Sequence, residues 1–263
     1  MENSIVDEEE VLKEQFTDWE KNFWVEENPK LYKYRGNLYR DLLTLQNNLL
    51  YIPSREELND PNESSLNLVD VYKAIDFVEK TSLPKDGTSL RKEMEEFIEG
   101  IGIFSMCKIP YAECLWSYYS NGHRGFCIEY DAIILREAFR NIGILSHVLE
   151  LEYDFQRTVP TIYNIGEELS KKVQFLRKTT ASKSRNWVGE QEVRFILKEK
   201  SKYIDIPYKA VTGIYIGARC SDFDKKLIVK AIKSMGNCDI KLYQMKFKED
   251  SFDMDSEEVN YLQ

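Results

Sequence analysis

Apolar residues along the 263-residue chain follow two rhythms, one of three to four residues and one of two, and these predict most of its elements. Val11, Leu12, Phe16, Trp19 and Phe23 recur at helical spacing among acids, predicting an amphipathic helix from Glu8 to Trp24 that ends before Pro29. Leu31 to Gly36 alternates and stops at a glycine, as a short strand does. Leu38 to Asn48 reads as helix and Leu49 to Pro53 as strand, followed by turn chemistry at Asn59-Asp60-Pro61. A helix over Leu68 to Val78, a polar loop through Pro84 and Gly87, and a helix over Arg91 to Ile98 come next. Strands are expected at Ile101 to Lys108, Phe126 to Tyr130 and Val148 to Tyr153, with helices at Ala132 to Asn141 and Ile165 to Lys178. Between the first two of those strands, Glu113 to Gly125 reads as an aromatic, glycine-bearing loop suited to approaching a ligand. Strands at Tyr203 to Ile206, Val211 to Gly217 and Ile240 to Phe247 flank a helix at Phe223 to Met235. Helices come early and strands cluster late, which predicts a single α+β domain with a mixed, mostly antiparallel sheet flanked by helices.

The stretch from Lys183 to Leu197 organises the rest. After Gly189 it alternates strictly, with Glu190, Glu192, Arg194 and Ile196 on one side and Gln191, Val193, Phe195 and Leu197 on the other. As a strand it turns Val193, Phe195 and Leu197 to a core and sets two carboxylates on the other face, about 6 to 7 Å apart. The plain alternative is a solvated face on which Arg194 neutralises Glu192.

Charge divides the chain into three. Residues 1–30 carry ten acids and three bases and residues 249–263 six acids and no base, so the body over 31–248 is net +4 against −9 for the whole chain. The acidic N-terminal helix is expected to pack on the body, with regulation through a partner as the alternative, and the acidic tail from Lys248 to be mobile. A mildly basic body suits an anionic ligand of dinucleotide size without demanding nucleic acid. Five cysteines lack Cys-x-x-Cys spacing and only two histidines occur, His123 and His147, so neither a disulfide framework nor a multi-histidine metal centre is expected. No apolar run approaches the roughly 20 residues needed to span a bilayer, and the first residues lack the pattern of a signal peptide, which predicts a cytoplasmic protein. Gly-rich dinucleotide and phosphate-loop fingerprints are absent.

Four separated pieces make a combination: Leu31 to Gly36; Leu49 to Glu63 with Asn-Asp-Pro; Trp116-Ser117-x-Tyr119 followed by His123-x-Gly125; and Lys183, Trp187, Glu190, Glu192 and Arg194. In this order they resemble the bacterial family called domain of unknown function twenty-nine seventy-one, over about residues 31–220. The chain has Tyr118 where the family pattern has a histidine. The resemblance brings no activity with it, only an association with mobile or defence operons. A more distant similarity is to toxin-type ADP-ribosyltransferases, which carry an NAD-binding arginine on an early strand and Glu-x-Glu on a late one. Tyr34-Arg35-Gly36 is similar to the first and Glu190-Gln191-Glu192-Val193, with Pro207 downstream, to the second, although Arg194 stands where the toxins have an apolar residue.

That similarity implies an ADP-ribosyltransferase-like fold and an NAD-consuming transferase or glycohydrolase acting as a toxin or phage-defence effector. NAD is then a substrate, no metal is needed, and the acceptor is a protein or a nucleic acid. Glu192 would face the ribose whose oxocarbenium character develops as nicotinamide leaves, and Glu190 would orient or deprotonate the acceptor. Arg35 would fork the pyrophosphate; Tyr34, Trp116, Tyr119 and Trp187 offer rings to the bases; His123 and Lys183 offer contacts to ribose and phosphate. Two alternatives stay open. One is a metal-independent nuclease or nucleic-acid-binding effector using His123, Arg35, Lys183 and Arg194. The other is a non-enzymatic sensor or interaction module in which the same polar residues form a structural network. All readings rest on one expectation: the late acids share a cavity with the early arginine and the aromatic middle segment.

Overall fold

The computed structural model describes residues 17–60, 72–73, 76–77, 80, 90–156, 169–236 and 239–260. In chain order the elements are α1 (Asp18–Phe23), β1 (Lys30–Arg35), α2 (Leu38–Gln46), β2 (Leu49–Ile52), α3 (Leu90–Gly100), β3 (Gly102–Cys107), α4 (Glu113–Tyr119), β4 (Phe126–Asp131), α5 (Ala132–Asn141), β5 (Leu145–Glu150) and β6 (Glu152–Asp154). They continue as α6 (Leu169–Thr180), β7 (Ser182–Ser184), β8 (Glu192–Leu197), β9 (Lys202–Asp205), β10 (Val211–Ile216), α7 (Asp222–Ser234), β11 (Lys241–Phe247) and β12 (Met254–Glu258). Short 3-10 turns lie at Arg55–Glu57, Arg185–Glu190 and Tyr208–Ala210.

Eight strands form one sheet in the order β12-β11-β10-β4-β1-β3-β8-β5. Only the β10–β11 pair is parallel within it, so the expected mixed, mostly antiparallel sheet is what the chain builds. Two small sheets, β2-β9 and β6-β7, stand beside it. The main core packs Phe104, Phe126, Phe139, Phe195, Leu197 and Ile228 between the sheet and its helices. Helix starts follow cap chemistry: Asn37 accepts from the Arg40 amide, Asp131 from Ile133 and Ile134, and Ser221 from Asp224.

One joint in the large sheet is weak. β1 pairs with β4 over six residues, yet it meets β3 at a single register pair, Tyr32 with Cys107. Beyond that pair the two strands splay, and the sheet opens between Lys33–Arg35 on one side and Ile103–Met106 on the other.

Several expectations change. Glu190 does not lie on the strand: it ends a 3-10 turn, Gln191 takes a left-handed φ of 44°, and β8 begins only at Glu192. β8 itself is buried along its whole length because β3 and β5 flank it and both faces are covered, so neither side is the solvated face the alternation allowed. The segment expected as one strand over Val148 to Tyr153 breaks in two, since Leu151 donates to Glu192 O while Glu152 turns away to pair with β7. Glu113–Tyr119 is a helix, not a loop; only its exit is a tight turn, with positive φ at Asn121, Gly122 and His123. The tail expected to be mobile folds back as β12 along β11, burying Met254. α1 carries a capping box between Thr17 and Glu20 and puts Phe23 in the main core, so the expected packing on the body holds for Asp18 to Phe23. The first part of that helix (Glu8 to Phe16), the helix over Leu68 to Val78 apart from four of its residues, the loop through Pro84 and Gly87, and the start of the Ile165 helix lie outside the described residues. Cys107, Cys127 and Cys220 are buried and free, and Cys114 is half-buried and free.

Candidate functional site

The split between β1 and β3 widens into a cavity of about 1240 Å³. Its walls come from distant parts of the chain: Lys33, Tyr34 and Arg35 of β1, Arg40 and Asp41 of α2, Ser105 of β3, Tyr119 of α4, and Lys183, Glu190 and Glu192. Two glycines hold Arg35 and Tyr119 side by side. A Cβ on Gly36 would stand 2.8 Å from Tyr119 O, and one on Gly125 would stand 2.0 Å from Arg35 O. Only hydrogen fits at either place.

The two acids reach the cavity by different routes. The left-handed turn at Gln191 reverses the local direction, so Glu190 and Glu192 converge on Lys183 of β7 instead of lying in a row along a strand. Lys183 Nζ donates to Glu190 Oε2 at 2.5 Å and to Glu192 Oε2 at 3.2 Å. Tyr119 donates its hydroxyl to Glu190 Oε1 at 2.9 Å. Arg194 grips Glu192 with Nε at 2.7 Å from Oε1 and Nη2 at 3.2 Å from Oε2, and gives Nη1 to Thr180 O at 2.5 Å. The Glu192 amide donates to Tyr153 Oη at 2.8 Å. Two acids and two bases thus balance formally in a nearly buried cluster at the cavity wall.

Their proton affinities diverge. Burial pushes the Glu190 carboxyl up, against the pull of Lys183. Burial pushes Glu192 up too, but the charges of Arg194 and Lys183 outweigh it and hold that carboxyl well below the usual range. Burial, with the Glu190 charge, raises the Tyr119 phenol. Lys33 is driven the other way: burial, then the neighbouring Arg35, lowers its ammonium to about 7. Among the described residues no carboxylate forms an ion pair with Arg35 or Arg124, both of which line the cavity.

Of the residues singled out in the sequence, Tyr34, Arg35, Tyr119, Lys183, Glu190 and Glu192 come together here. Tyr34 contributes its ring alone, because its hydroxyl donates to Ile109 O at 2.9 Å and accepts from the Ala112 amide. Three others stand elsewhere. Trp116 is fully enclosed, its indole nitrogen donating to Pro110 O at 2.7 Å and its ring edge-on to Tyr34, so it packs and does not stack on a ligand. His123 is buried against Trp116 and Phe247, with Nε2 3.1 Å from Ser117 Oγ, and burial lowers its imidazole. Trp187 sits behind Lys183, whose Nζ lies 5.1 Å from the ring centroid, outside the cavity lining.

Lys33, Arg40, Asp41, Ser105 and Arg124 also line the cavity, though none is among the residues singled out from the sequence. A signal for Lys33 existed: it lies two residues from fully buried Leu31 on the same side of an alternating strand, a position where a lysine is out of place. Among the described residues no group of three or more His, Cys, Asp or Glu side chains is placed to hold a metal ion, and no helix is long and apolar enough to cross a membrane.

Residues 115–195 match the model of a family described as "Protein of unknown function (DUF2971)". Over this stretch the chain is similar to DUF2971. The segment runs from α4 into β8, so it holds Tyr119, Lys183, Glu190 and Glu192, while Arg35 and the rest of β1 precede it. No curated protein and no solved structure gives a significant match to the chain.

Proposed function

We propose that this cavity binds a dinucleotide of the NAD type and that the protein breaks the bond between nicotinamide and ribose, passing ADP-ribose to water or to an acceptor. One observation carries this reading: Arg35, Tyr119, Lys183, Glu190 and Glu192 surround a single cavity of about 1240 Å³, ample for a dinucleotide. A pyrophosphate needs guanidinium groups not already neutralised, as Arg35 and Arg124 are here. A ribosyl cation needs a fixed carboxylate in a dry site.

Of the two acids, Glu190 suits acid–base work better. Its carboxyl is pushed upward by burial, which favours taking a proton from an attacking hydroxyl. Glu192 has both oxygens engaged by Arg194 and Lys183, which suits an anchor for Lys183 more than direct contact with ribose. The toxin or phage-defence role goes with this reading; its readout is NAD loss in cells expressing the chain, absent with Glu190→Gln.

Incubation with NAD, followed by mass spectrometry of free nicotinamide, tests the proposal. Glu190→Gln should slow release by about 10²-fold or more while NAD still raises Tm. No nicotinamide release and no NAD-dependent rise in Tm from the intact chain would reject it.

A second reading is a binding module without turnover. Glu190, Lys183, Glu192 and Arg194 hold one another in a continuous run of ion pairs, as a structural or sensing network does. An NAD-dependent rise in Tm without nicotinamide release selects this reading. The nuclease alternative loses its histidine, since His123 faces Ser117 and Phe247 and not the cavity.

A further inference from the structure

Lys33 has no part in the chemistry just described, yet it lines the same cavity. Its Nζ donates to Ser105 O and lies 4.9 Å from the centroid of the Phe104 ring. Among the described residues it forms no ion pair with a carboxylate. The charged groups around it come from three elements: Arg35 of β1, Asp41 of α2, and Glu192 and Arg194 of β8. Asp41 is engaged by the Asn37 amide and by Arg40, and Glu192 by Arg194 and Lys183, so neither acid is given over to Lys33.

We propose that the Lys33 amine is a covalent attachment point for a small anionic carbonyl compound, an aldehyde or ketone bearing a phosphate or carboxylate, held in the cavity as an imine. An amine attacks a carbonyl only as the free base, and a desolvated lysine beside another cation is the arrangement that supplies it at neutral pH. Lys33 has this arrangement, with Arg35 as the other cation and its Nζ held over the buried Phe104 ring behind the cavity lining. Its ammonium is lowered to about 7, in keeping with the geometry. Arg35 and Arg124 line the same cavity and offer the anion its counter-charge.

The step balances without a further reactant. The nitrogen lone pair adds to the carbonyl carbon, the carbonyl oxygen leaves as water with both amine protons, and a C=N bond remains. The inference is independent of NAD cleavage, since it concerns a different side chain and a different bond.

Pyridoxal 5′-phosphate, an anionic aldehyde, serves as the probe, with borohydride reduction to fix any imine and peptide mass spectrometry to locate it. An ordinary lysine is about one part in a thousand free base near pH 7.5. Lys33 should therefore be labelled at least ~10-fold faster than the exposed lysines at that pH. Its labelling should rise with a midpoint near 7, and inorganic pyrophosphate should slow it without slowing labelling of exposed lysines. Lys33→Arg should remove this fast label and leave the slow ones. Because these readouts are taken on the intact wild-type chain, a folding defect in the variant does not obscure the result. Labelling that follows exposure alone and leaves Lys33 unmodified, or Lys33 labelling with no midpoint below 9 and no pyrophosphate protection, overturns the proposal.

Discussion

Glu192 is a buried carboxylate that stays ionised only because two cations are in contact with it. Arg194→Met removes the bidentate partner and leaves two carboxylates sharing Lys183. Breaking such a pair costs about 3–5 kcal/mol, a fall in Tm on the order of 10 °C by thermal unfolding. The pH dependence has a definite sign. A carboxyl held below its unfolded value adds stability that is complete above the ordinary carboxylate range and lost as pH falls through the lowered value. In Arg194→Met the lowering shrinks, so acid unfolding should begin at higher pH than in the wild type. Glu190 has the opposite sign: its raised carboxyl binds a proton more readily folded than unfolded, so its contribution declines as pH rises past the ordinary value. Glu190→Gln should therefore match or exceed the wild-type Tm at pH 7 even as nicotinamide release falls, a trade of stability for function. Most of these residues were legible in the sequence, because two acids and an arginine have no ordinary reason to share a core strand and its approach. Lys33 is not among the residues singled out from the sequence, and Trp116, offered there as a ring for a ligand, is enclosed in the core. A single residue's exposure depends on which strands splay and which helix caps them, and neither is written in its neighbours.

At the scale of elements, the site depends on two close backbone contacts and one reversal. Gly125 lies against Arg35 O, Gly36 lies against the turn after α4, and Gln191 turns the chain so that both acids meet Lys183. Gly125→Ala would drive a methyl into a backbone carbonyl that cannot yield without moving β1 from β4. A loss of more than ~2 kcal/mol is expected in denaturant unfolding, with NAD cleavage weakened through displaced Arg35. Gly100 is the control: nothing lies within 4 Å of its added Cβ and it ends α3, so Gly100→Ala should be neutral or stabilising. Periodicity predicted α2, β3, β4, α5, β10 and α7 nearly to the residue: the helices each turn an apolar face to the main core, and the strands are short, largely apolar runs. It failed at α4, where Ala112 gives no side-chain cap and the aromatics Trp116, Tyr118 and Tyr119 face three different surroundings. It failed again at Glu190 and Glu150, where the alternation runs straight through a change of pairing partner.

For the whole molecule, the charge count suggested a basic body with acidic ends attached, and the described parts of those ends are built into the fold instead. β12 closes the sheet along β11, and α1 is fixed by a buried ion pair, Arg177 Nη2 to Glu20 Oε2 at 2.7 Å, while Glu20 Oε1 accepts from the Glu150 amide at 2.6 Å. Net charge cannot reveal this, because a paired buried acid and a solvated one count alike. The pair also connects α1 to the site: Arg177 lies on α6, the Thr180 carbonyl that ends α6 receives Arg194, and Arg194 holds Glu192. If α1 were only an adhering arm, losing Glu20 would cost little beyond its local contacts. If it fixes α6, the loss should travel. Glu20→Ala leaves a buried guanidinium without this carboxylate, at a cost of about 3 kcal/mol or more. Hydrogen exchange should then quicken first in β5 and the end of α6, and next at the Glu192 amide, with β10 and β11 on the far side of the split unchanged. Asp18→Ala, whose carboxylate is almost fully exposed beside Lys21, should change none of these. Faster exchange spread evenly over both halves of the sheet would mean that α1 stabilises the domain as a whole, with no particular path to the acids.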